Sequence, residues 1–562
     1  MFFAIAMKTS SITDTVQTSK RGSVKDPARK FFSFPVFLAA LLLAGAYIGR
    51  LGNLDQAPSS HSSIFWLEGD TWWHLAVAAR ILRTHVWPTH DIYSFTAFGS
   101  PWIDYEWLGD IVLDLFWRHG GLQSLMIFII LLGGTVMILL YYYASIRSGN
   151  CKAAFVASAL VLMLASLQFS TRPQLLGYVF LIVTLICLEK FRQGHANAIW
   201  LLPLVFWLWV NTHGTFVLGF LILGIYWASG FRDFQYGRIY AKRWSGAQRR
   251  QLELAFLLCL AASVLTPYGT RLAAYPLKMF LSQHEIMQAV QEWQPLDLSQ
   301  FYGKFFLVLL MLFFIGLATS DLRYRLEDCL LLAFATFETF VHARFMLLFV
   351  PVFAPMAAQM LAKWVPKYEP AKDHPVLNFA LMAIIAFGIT KSFPSSRRIS
   401  NQLQYEVPVR AVPFLREHTE LRRMFNEANW GSYLDFTLGP SRKVFIDGRY
   451  DIYEYNGVLS DYLSITHVAP DALFLLKKYR VDSCLIYRGS PLATLLATSP
   501  EWKRVYEDRE SVIFVQKSKP RGVDPATKRH QKARSRMPLS QQKVTPKSKQ
   551  RQGSSKSMRI RS

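Results

Sequence analysis

The stretch LQSLMIFIILLGGTVMILLYYYAS, Leu122 to Ser145, runs for 24 residues without a charge. About 20 apolar residues in helical form cross the hydrocarbon of a bilayer, so this run alone is long enough to span one. Gly303 to Thr319 repeats the pattern with a single lysine near its start. The whole chain follows suit: of its 562 residues 52% are hydrophobic and 18% charged, where a soluble globule carries about 25% charge. The composition excludes collagen-like, disordered and disulfide-rich classes for the chain as a whole and predicts a polytopic α-helical membrane protein. Eleven spans are expected, at about 31–48, 123–146, 153–169, 173–190, 198–212, 214–231, 251–266, 304–319, 326–341, 344–362 and 375–391.

Lys and Arg gather in cytoplasmic loops of membrane proteins. The segment 1–30 holds six basic residues against Asp14 and Asp26, which predicts a cytoplasmic N-terminus and an uncleaved first span. The loops Arg147–Lys152, Lys190–Arg192, Arg232–Arg250, Asp321–Arg325 and Lys363–Lys372 then fall inside, each with excess positive charge. An odd number of spans places everything after Phe393 outside. Five cysteines, Cys151, Cys187, Cys259, Cys329 and Cys484, show no CxxC spacing and therefore neither a disulfide framework nor a thiolate metal site. The formal charge is +24, and Lys517 to Ser562 supplies +14 of it with fifteen Lys or Arg and one acid, Asp524. The tail 518–562 has too few large apolar residues to bury a core and is expected to be disordered; it is read either as a contact for anionic lipid or polymer or as a solvated extension.

Between 400 and 517 the composition changes. Pro, Asn, Asp and Arg return and the apolar runs shorten to strand length. Lys443–Ile446, Ser483–Tyr487 and Ser511–Val515 read as buried strands and Pro470–Tyr479 as a helix. A compact C-terminal extracytoplasmic α/β domain is expected, following the transmembrane region 31–399.

The outer loop 51–122 carries the densest chemistry: Glu68-Gly-Asp70-Thr-Trp-Trp-His74, then His90-Asp91, then Asp104-Tyr-Glu106-Trp. Tryptophans can be explained as interfacial anchors, but acids gain nothing beside headgroup phosphates and are costly near hydrocarbon. An outer acidic pocket is the better reading. The same topology brings Arg172-Pro-Gln174, Asn211-Thr-His213, Glu292-Trp-Gln-Pro295, His342 and Arg344 to that side. Each taken alone is also explained by snorkelling or an interhelical hydrogen bond. Their placement on one face with the acids favours a site, in which arginine clamps a phosphate and His213 orients a hydroxyl or phosphate. Neither a GxxxxGK[ST] phosphate loop nor HExxH occurs, which argues against a nucleotide-driven transporter and a zinc protease.

An acid followed by aromatics and His soon after the first span, then many further spans, resembles the GT-C superfamily of integral-membrane glycosyltransferases. That family includes the oligosaccharyltransferase catalytic subunit, protein mannosyltransferases and bacterial lipid-modifying sugar transferases. The resemblance implies a GT-C-like fold in a bacterial plasma (inner) membrane and transfer of a sugar from a polyprenyl-phosphate-linked donor to an envelope glycan, lipid or protein acceptor, with membrane lipids as further partners and no nucleic acid. Asp70 matches the first-loop acid and is expected to be the catalytic base. Asp104 and Glu106 resemble a second acidic pair that would hold a divalent cation, Mg²⁺ or Mn²⁺. His74, Arg172, His213 and Arg344 are candidates for binding substrate or phosphate. Asn429-Trp430-Gly-Ser-Tyr433 is similar to the Trp-Trp-Asp-Tyr-Gly region of oligosaccharyltransferases, which suggests Trp430 and Tyr433 at the acceptor, although one Trp and the Asp are missing. The rival reading is a non-catalytic lipid-linked-glycan flippase or a glycan-binding scaffold. Asp70 also stands where a helix starting at Thr71 would take its N-cap, a purely structural role.

Overall fold

A computed structural model describes residues 27–51, 68–282 and 285–517. Most of the basic N-terminal segment, the first part of the outer loop and the whole 518–562 tail lie outside the described residues.

Among the described residues, the main helices of the first two thirds are α1 (Phe34–Leu51), α2 (Thr71–Thr84), α3 (Trp107–Ser148), α4 (Cys151–Ser166), α5 (Gln174–Arg192), α6 (Leu202–Val210), α7 (Phe216–Ser229), α8 (Gly246–Ser263), α9 (Thr270–Ser282), α10 (Phe301–Thr319), α11 (Leu326–Val341), α12 (Met346–Leu361) and α13 (Pro375–Ser392). Each of the eleven stretches expected to span overlaps one of them. Five helical stretches are long and apolar enough to cross a membrane: Trp107–Ser148, Gln174–Arg192, Phe301–Thr319, Ala343–Leu361 and Pro375–Ser392. Four shorter apolar helices accompany them, Phe34–Gly49, Cys151–Ser166, Ala196–Val210 and Phe216–Ser229. Helices α8 and α11 fall in neither group, because Arg249, Arg250 and Glu253 occupy the start of one and Glu327, Asp328 and Glu338 punctuate the other.

Local chemistry sets the helix ends. At Ser148-Gly149-Asn150 the left-handed Gly149 (φ 63°) closes α3, and the Asn150 side chain accepts from the Lys152 and Ala153 N–H groups to open α4. Ser245 and Gln248 cap α8 reciprocally. Helix α12 is sheathed on nearly every side and packs on α3 and α4, whereas α13 keeps most of its surface exposed.

At the end of the bundle where α3 and α5 finish, charges are buried in pairs. Arg147 bonds Glu189 (3.1 Å) and Asp328 (2.5 Å), Arg325 also holds Glu189 (2.6 Å), and Arg192 holds Glu327 (2.6 Å). A small ribbon of β1 (Phe234–Tyr236), β2 (Ile239–Ala241) and β3 (Tyr324–Arg325) covers this end.

After α13 come α14 (Ser396–Glu406), α15 (Ala428–Leu438), α16 (Tyr450–Tyr455) and a four-stranded sheet of β4 (Met424–Asn426), β5 (Ser483–Tyr487), β6 (Trp502–Glu507) and β7 (Ser511–Gln516) in the order β4-β5-β7-β6. The strands expected at 483–487 and 511–515 and the helix expected at 470–479, found as Ala472–Lys478, are present. Lys443–Ile446 is not a strand of this sheet. The Asn426 side chain accepts from Phe445 N–H and donates to the Ile446 carbonyl, taking the groups a neighbouring strand would use, and Val444 exchanges backbone bonds with Tyr93 and Phe95. One apolar cluster joins Trp73, Val77, Ile81, Tyr93 and Trp102 to Phe425, Phe445, Ile446 and Tyr453, so the chain after α13 packs directly on α2 and on the segment between α2 and α3.

Candidate active site

The segments before α2, α3 and α5, between α6 and α7, before α10 and between α11 and α12 all meet at the end of the bundle opposite the Arg147 knot. Here Arg172 is the hub. Its Nη2 contacts Glu68 and lies 3.3 Å from Asp70 Oδ2, while Nη1 lies 3.2 Å from Glu292 Oε1. Arg344 approaches the same Glu292 oxygen at 3.5 Å and stacks over Trp293, 4.1 Å from the ring centre. The loop bearing Glu292 is tied to the Arg344 turn by Ala343 N–H to the Gln294 carbonyl and by His342 Nδ1 at 2.6 Å from the Trp293 carbonyl.

Asp70 occupies the N-cap position of α2, yet its side chain makes no cap hydrogen bond and its backbone is already helical (φ −62°, ψ −30°). Its carboxylate is turned to Arg172. Two glycines allow this. A Cβ on Gly69 would stand 2.9 Å from the Asn429 carbonyl, and a Cβ on Gly448 would collide with Asp70 Oδ1. The turn Asp447-Gly448-Arg449 is itself fixed, since Arg449 bonds both Asp447 (2.6 Å) and Asp91 (2.7 Å) and Tyr453 donates to Asp447 (2.7 Å), all buried.

Beneath the arginine cluster runs a row of alternating imidazoles and carboxylates. Asp110 Oδ1 is 2.7 Å from His74 Nδ1, His74 Nε2 is 3.6 Å from Glu106 Oε2, and Glu106 Oε1 is 3.2 Å from His213 Nε2. The side chains of Arg172, Asp70 and Glu292 are 23–25% exposed, those of His74 and Asp110 2% and 0%. A ligand thus meets the arginines and Asp70 first, and the row stays dry.

Environment drives the acids apart. Burial pushes the Asp70 carboxyl up, with Arg172 pulling the other way. Burial also opposes charge on Glu292, but Arg344 and Arg172 together hold it at about 2. Burial lifts Glu106 to about 8, and lowers His74 to about 4 and His213 to about 3. Neighbouring titratable groups are thereby separated: the arginines hold Glu292 in its charged form, while burial favours the protonated form of Asp70 and Glu106.

Of the residues picked out by sequence, Asp70, His74, Glu106, Arg172, His213 and Arg344 converge here. Asp104 does not join them as a ligand. It is fully buried, accepts the Glu106 N–H (3.1 Å) and faces Asp110, so the pairing of Asp104 with Glu106 as the cation site gives way to His74, Glu106 and Asp110, whose donor atoms lie within 4.8 Å of one another. Trp430 and Tyr433 are enclosed. Trp430 Nε1 donates to the Glu406 carbonyl and Tyr433 packs edge-on to Trp72, 5.0 Å between ring centres. Tyr433 joins α15 to α2, Trp430 joins it to α14 and to Tyr487 of β5, and the contacts of both are with packing partners. Asp110 was not singled out, although its spacing from Glu106 puts the two on one helical face.

No protein-family model matches the chain, and no curated protein matches it. Among solved structures it is similar to the Archaeoglobus fulgidus oligosaccharyltransferase tethered with an acceptor peptide containing the NVT sequon (13% identity over 82% of this chain and 70% of that one, TM-score 0.49). It is also similar to AglB from the same organism in complex with an inhibitory peptide and a dolichol-phosphate (12% identity, 80% and 69%, TM-score 0.45). A third similar structure is ArnT from Cupriavidus metallidurans bound to undecaprenyl phosphate (13% identity, 85% and 98%, TM-score 0.45).

Proposed function

We propose that this chain is a GT-C-type membrane glycosyltransferase that moves a sugar from a polyprenyl-phosphate-linked donor to an acceptor hydroxyl or amide on the outer side of a bacterial plasma membrane. In this reading 31–399 is the membrane region, 51–122 its first outer loop, and 400–517 an extracytoplasmic domain. The observation that carries it is the Asp70 carboxylate, uncommitted to its own helix and 3.3 Å from an arginine already shared with two other acids.

Asp70 takes the proton of the acceptor as its oxygen or nitrogen attacks the anomeric carbon, a role worth roughly 10²–10⁴-fold. The leaving group is a phosphate. Arg172, whose Nε has no partner among the described residues, and Arg344 gain a phosphate oxygen as ligand when the donor enters, and Glu292 keeps both guanidinium groups aimed. The anomeric carbon develops positive charge in the transition state, which the neighbouring Glu68 carboxylate stabilises while Asp70 receives the proton.

The row below tests the place for a cation. Thr215 N–H donates to His213 Nδ1 (3.2 Å), so His213 carries its proton on Nε2 and donates it to Glu106. His74 Nδ1 is held 2.7 Å from Asp110 Oδ1, which leaves Nε2 facing Glu106 Oε2. A carboxylate behind a histidine is how ligating imidazoles are commonly held. His74 and Glu106 fit a divalent ion, and the nitrogen donor suits Mn²⁺ or Zn²⁺ better than Mg²⁺. Such an ion would supply positive charge for the leaving phosphate.

The reading is tested by incubating the purified chain in lipid nanodiscs with polyprenyl-phosphate sugars and scoring release of polyprenyl phosphate, alongside mass spectrometry of envelope glycans with and without the gene. Release that requires both Asp70 and Arg172 supports transfer. A wild-type protein that binds these donors but releases nothing with any envelope acceptor would fit a carrier or scaffold instead.

A further inference from the structure

Helix α9 lies in the outer segment between α8 and α10, and it has two apolar faces. Leu272, Tyr275, Pro276 and Met279, at helical spacing, face the protein. Leu272 is buried, Met279 packs against the apolar cluster that includes Ile286, and Pro276 lies against Gly214, beside His213. Tyr275 bonds the Asp451 carboxylate and stacks on Tyr105, ring centres 4.9 Å apart. The other face is Ala274, Leu277, Lys278 and Leu281, flanked by Phe280. Leu277, Phe280 and Leu281 are 57%, 50% and 65% exposed, and among the described residues no chain segment covers them.

An aqueous loop gains nothing from three large exposed apolar side chains in eleven residues. What lies next to them in the chain indicates the occupant. Helix α8 leads into α9 through the short turn at Thr266–Gly269, and its Leu254, Leu257, Leu258 and Leu260, with Val264 and Leu265 after it, present an exposed apolar strip. The exposed Leu277, Phe280 and Leu281 follow that strip in the chain, one short turn later. The exposed Arg271 stands near the start of α9 and Lys278 within this face, with Lys278 Nζ 5.6 Å from the centre of the exposed Tyr455 ring; basic residues of this kind accompany apolar faces that rest in lipid.

We infer that α9 is an interfacial helix, its Leu277, Phe280 and Leu281 face seated in the outer leaflet of a phospholipid bilayer while Tyr275 on the opposite face contacts the site. The bilayer then comes within one helix diameter, about 10 Å, of Tyr105 and of the Glu106 row. The inference rests on the chain spanning a membrane and not on sugar transfer.

Nitroxide labels placed at Leu277→Cys and Leu281→Cys, in a chain with half-buried Cys151 and Cys329 changed to Ala and reconstituted in phosphatidylcholine–phosphatidylglycerol nanodiscs, test it by power-saturation spectroscopy. The exposed Ser460→Cys is the aqueous reference. Oxygen accessibility several-fold above that of a nickel chelate at 277 and 281, with the ratio reversed at 460, is the expected result. A nickel-dominated signal at 277 and 281 would place α9 in water, and exclusion of both reagents would show a protein cover, such as a second copy; either overturns the inference. Because the readout is a depth and not a turnover, loss of the glycosyltransferase reading would leave it standing.

Discussion

Asp70 and Arg172 lie 3.3 Å apart across a boundary between two helices, and neither spends its charge on its own helix. The first N–H groups of α2 bond the carbonyls of Glu68, Gly69 and Asp70 in the preceding turn, so the Asp70 side chain is not needed as a cap. Its carboxylate is left to face the guanidinium, a charge pair placed where a ligand can reach it.

Replacing Asp70 by Asn separates shape from basicity. Since no cap bond exists to lose, the Asp70→Asn protein is expected to express and melt like the wild type while sugar transfer falls by about 10²-fold or more. Retention of near-normal transfer in the nanodisc assay would move the role of base to another carboxylate of the cluster.

Gly448 is expected to act as a positioning residue through contact alone. In Gly448→Ala the added methyl must displace the Asp70 carboxylate, and misplacement by about 1 Å can cost about 10²-fold. The fall should appear in kcat with little change in KM, and Gly457→Ala, at a glycine with open space around it, serves as the comparison for general strain.

Arg449 holds Asp91 and Asp447 together in a dry setting. Arg449→Met leaves two buried carboxylates without their cation, and breaking a buried pair in this way costs about 3–5 kcal/mol. Limited proteolysis should then cut near Asp91 and within 440–455 before the helices of the bundle yield.

Asp451 supplies a pH signature. Burial raises its carboxyl to about 6, with the Tyr275 hydroxyl and Arg449 opposing. A group whose pKa is raised on folding stabilises the fold fully below its unfolded value, near 4, and loses that contribution as pH rises through about 6. Between these limits the wild type is expected to lose stability relative to Asp451→Asn, by an amount on the order of 2–3 kcal/mol, read from denaturant midpoints at pH 4 and pH 7.

Much of the architecture was legible because a single physical demand, apolar length, dominates a span. The eleven runs each met a helix, and the helix after Asp70 began where the Thr71 pattern placed it. The site was legible only as a set of residues on one side. Sequence placed Arg172 and Glu292 on that face, but their pairing depends on loops 120 positions apart. Asp104 shows what nearness in sequence leaves open: it stands two residues from Glu106, and its carboxylate turns back onto the Glu106 backbone N–H and faces Asp110. Trp430 and Tyr433 illustrate the converse: aromatic residues in a familiar order serve packing as readily as binding. Lys443–Ile446 failed as a strand because its partners are an Asn side chain and a segment more than 300 residues earlier, which no local periodicity encodes.

Helix α3 bears a carboxylate of the site near one end and Arg147 of the opposite charge knot near the other, and it is not one rod. At Gly120 and Gly121 the backbone leaves helical geometry (φ −169° and +57°). An unbroken helix of this length would be about 63 Å long, and a tilt of a few degrees, such as a change of bilayer thickness imposes, would swing its tip by several ångströms. The two-glycine joint makes the outer turns, with Asp110 on His74 and Leu108 N–H on the Asn211 carbonyl, answer to their neighbours and not to the span. It acts as a mechanical isolator, letting the membrane flex while the distances that matter to a reacting atom stay fixed.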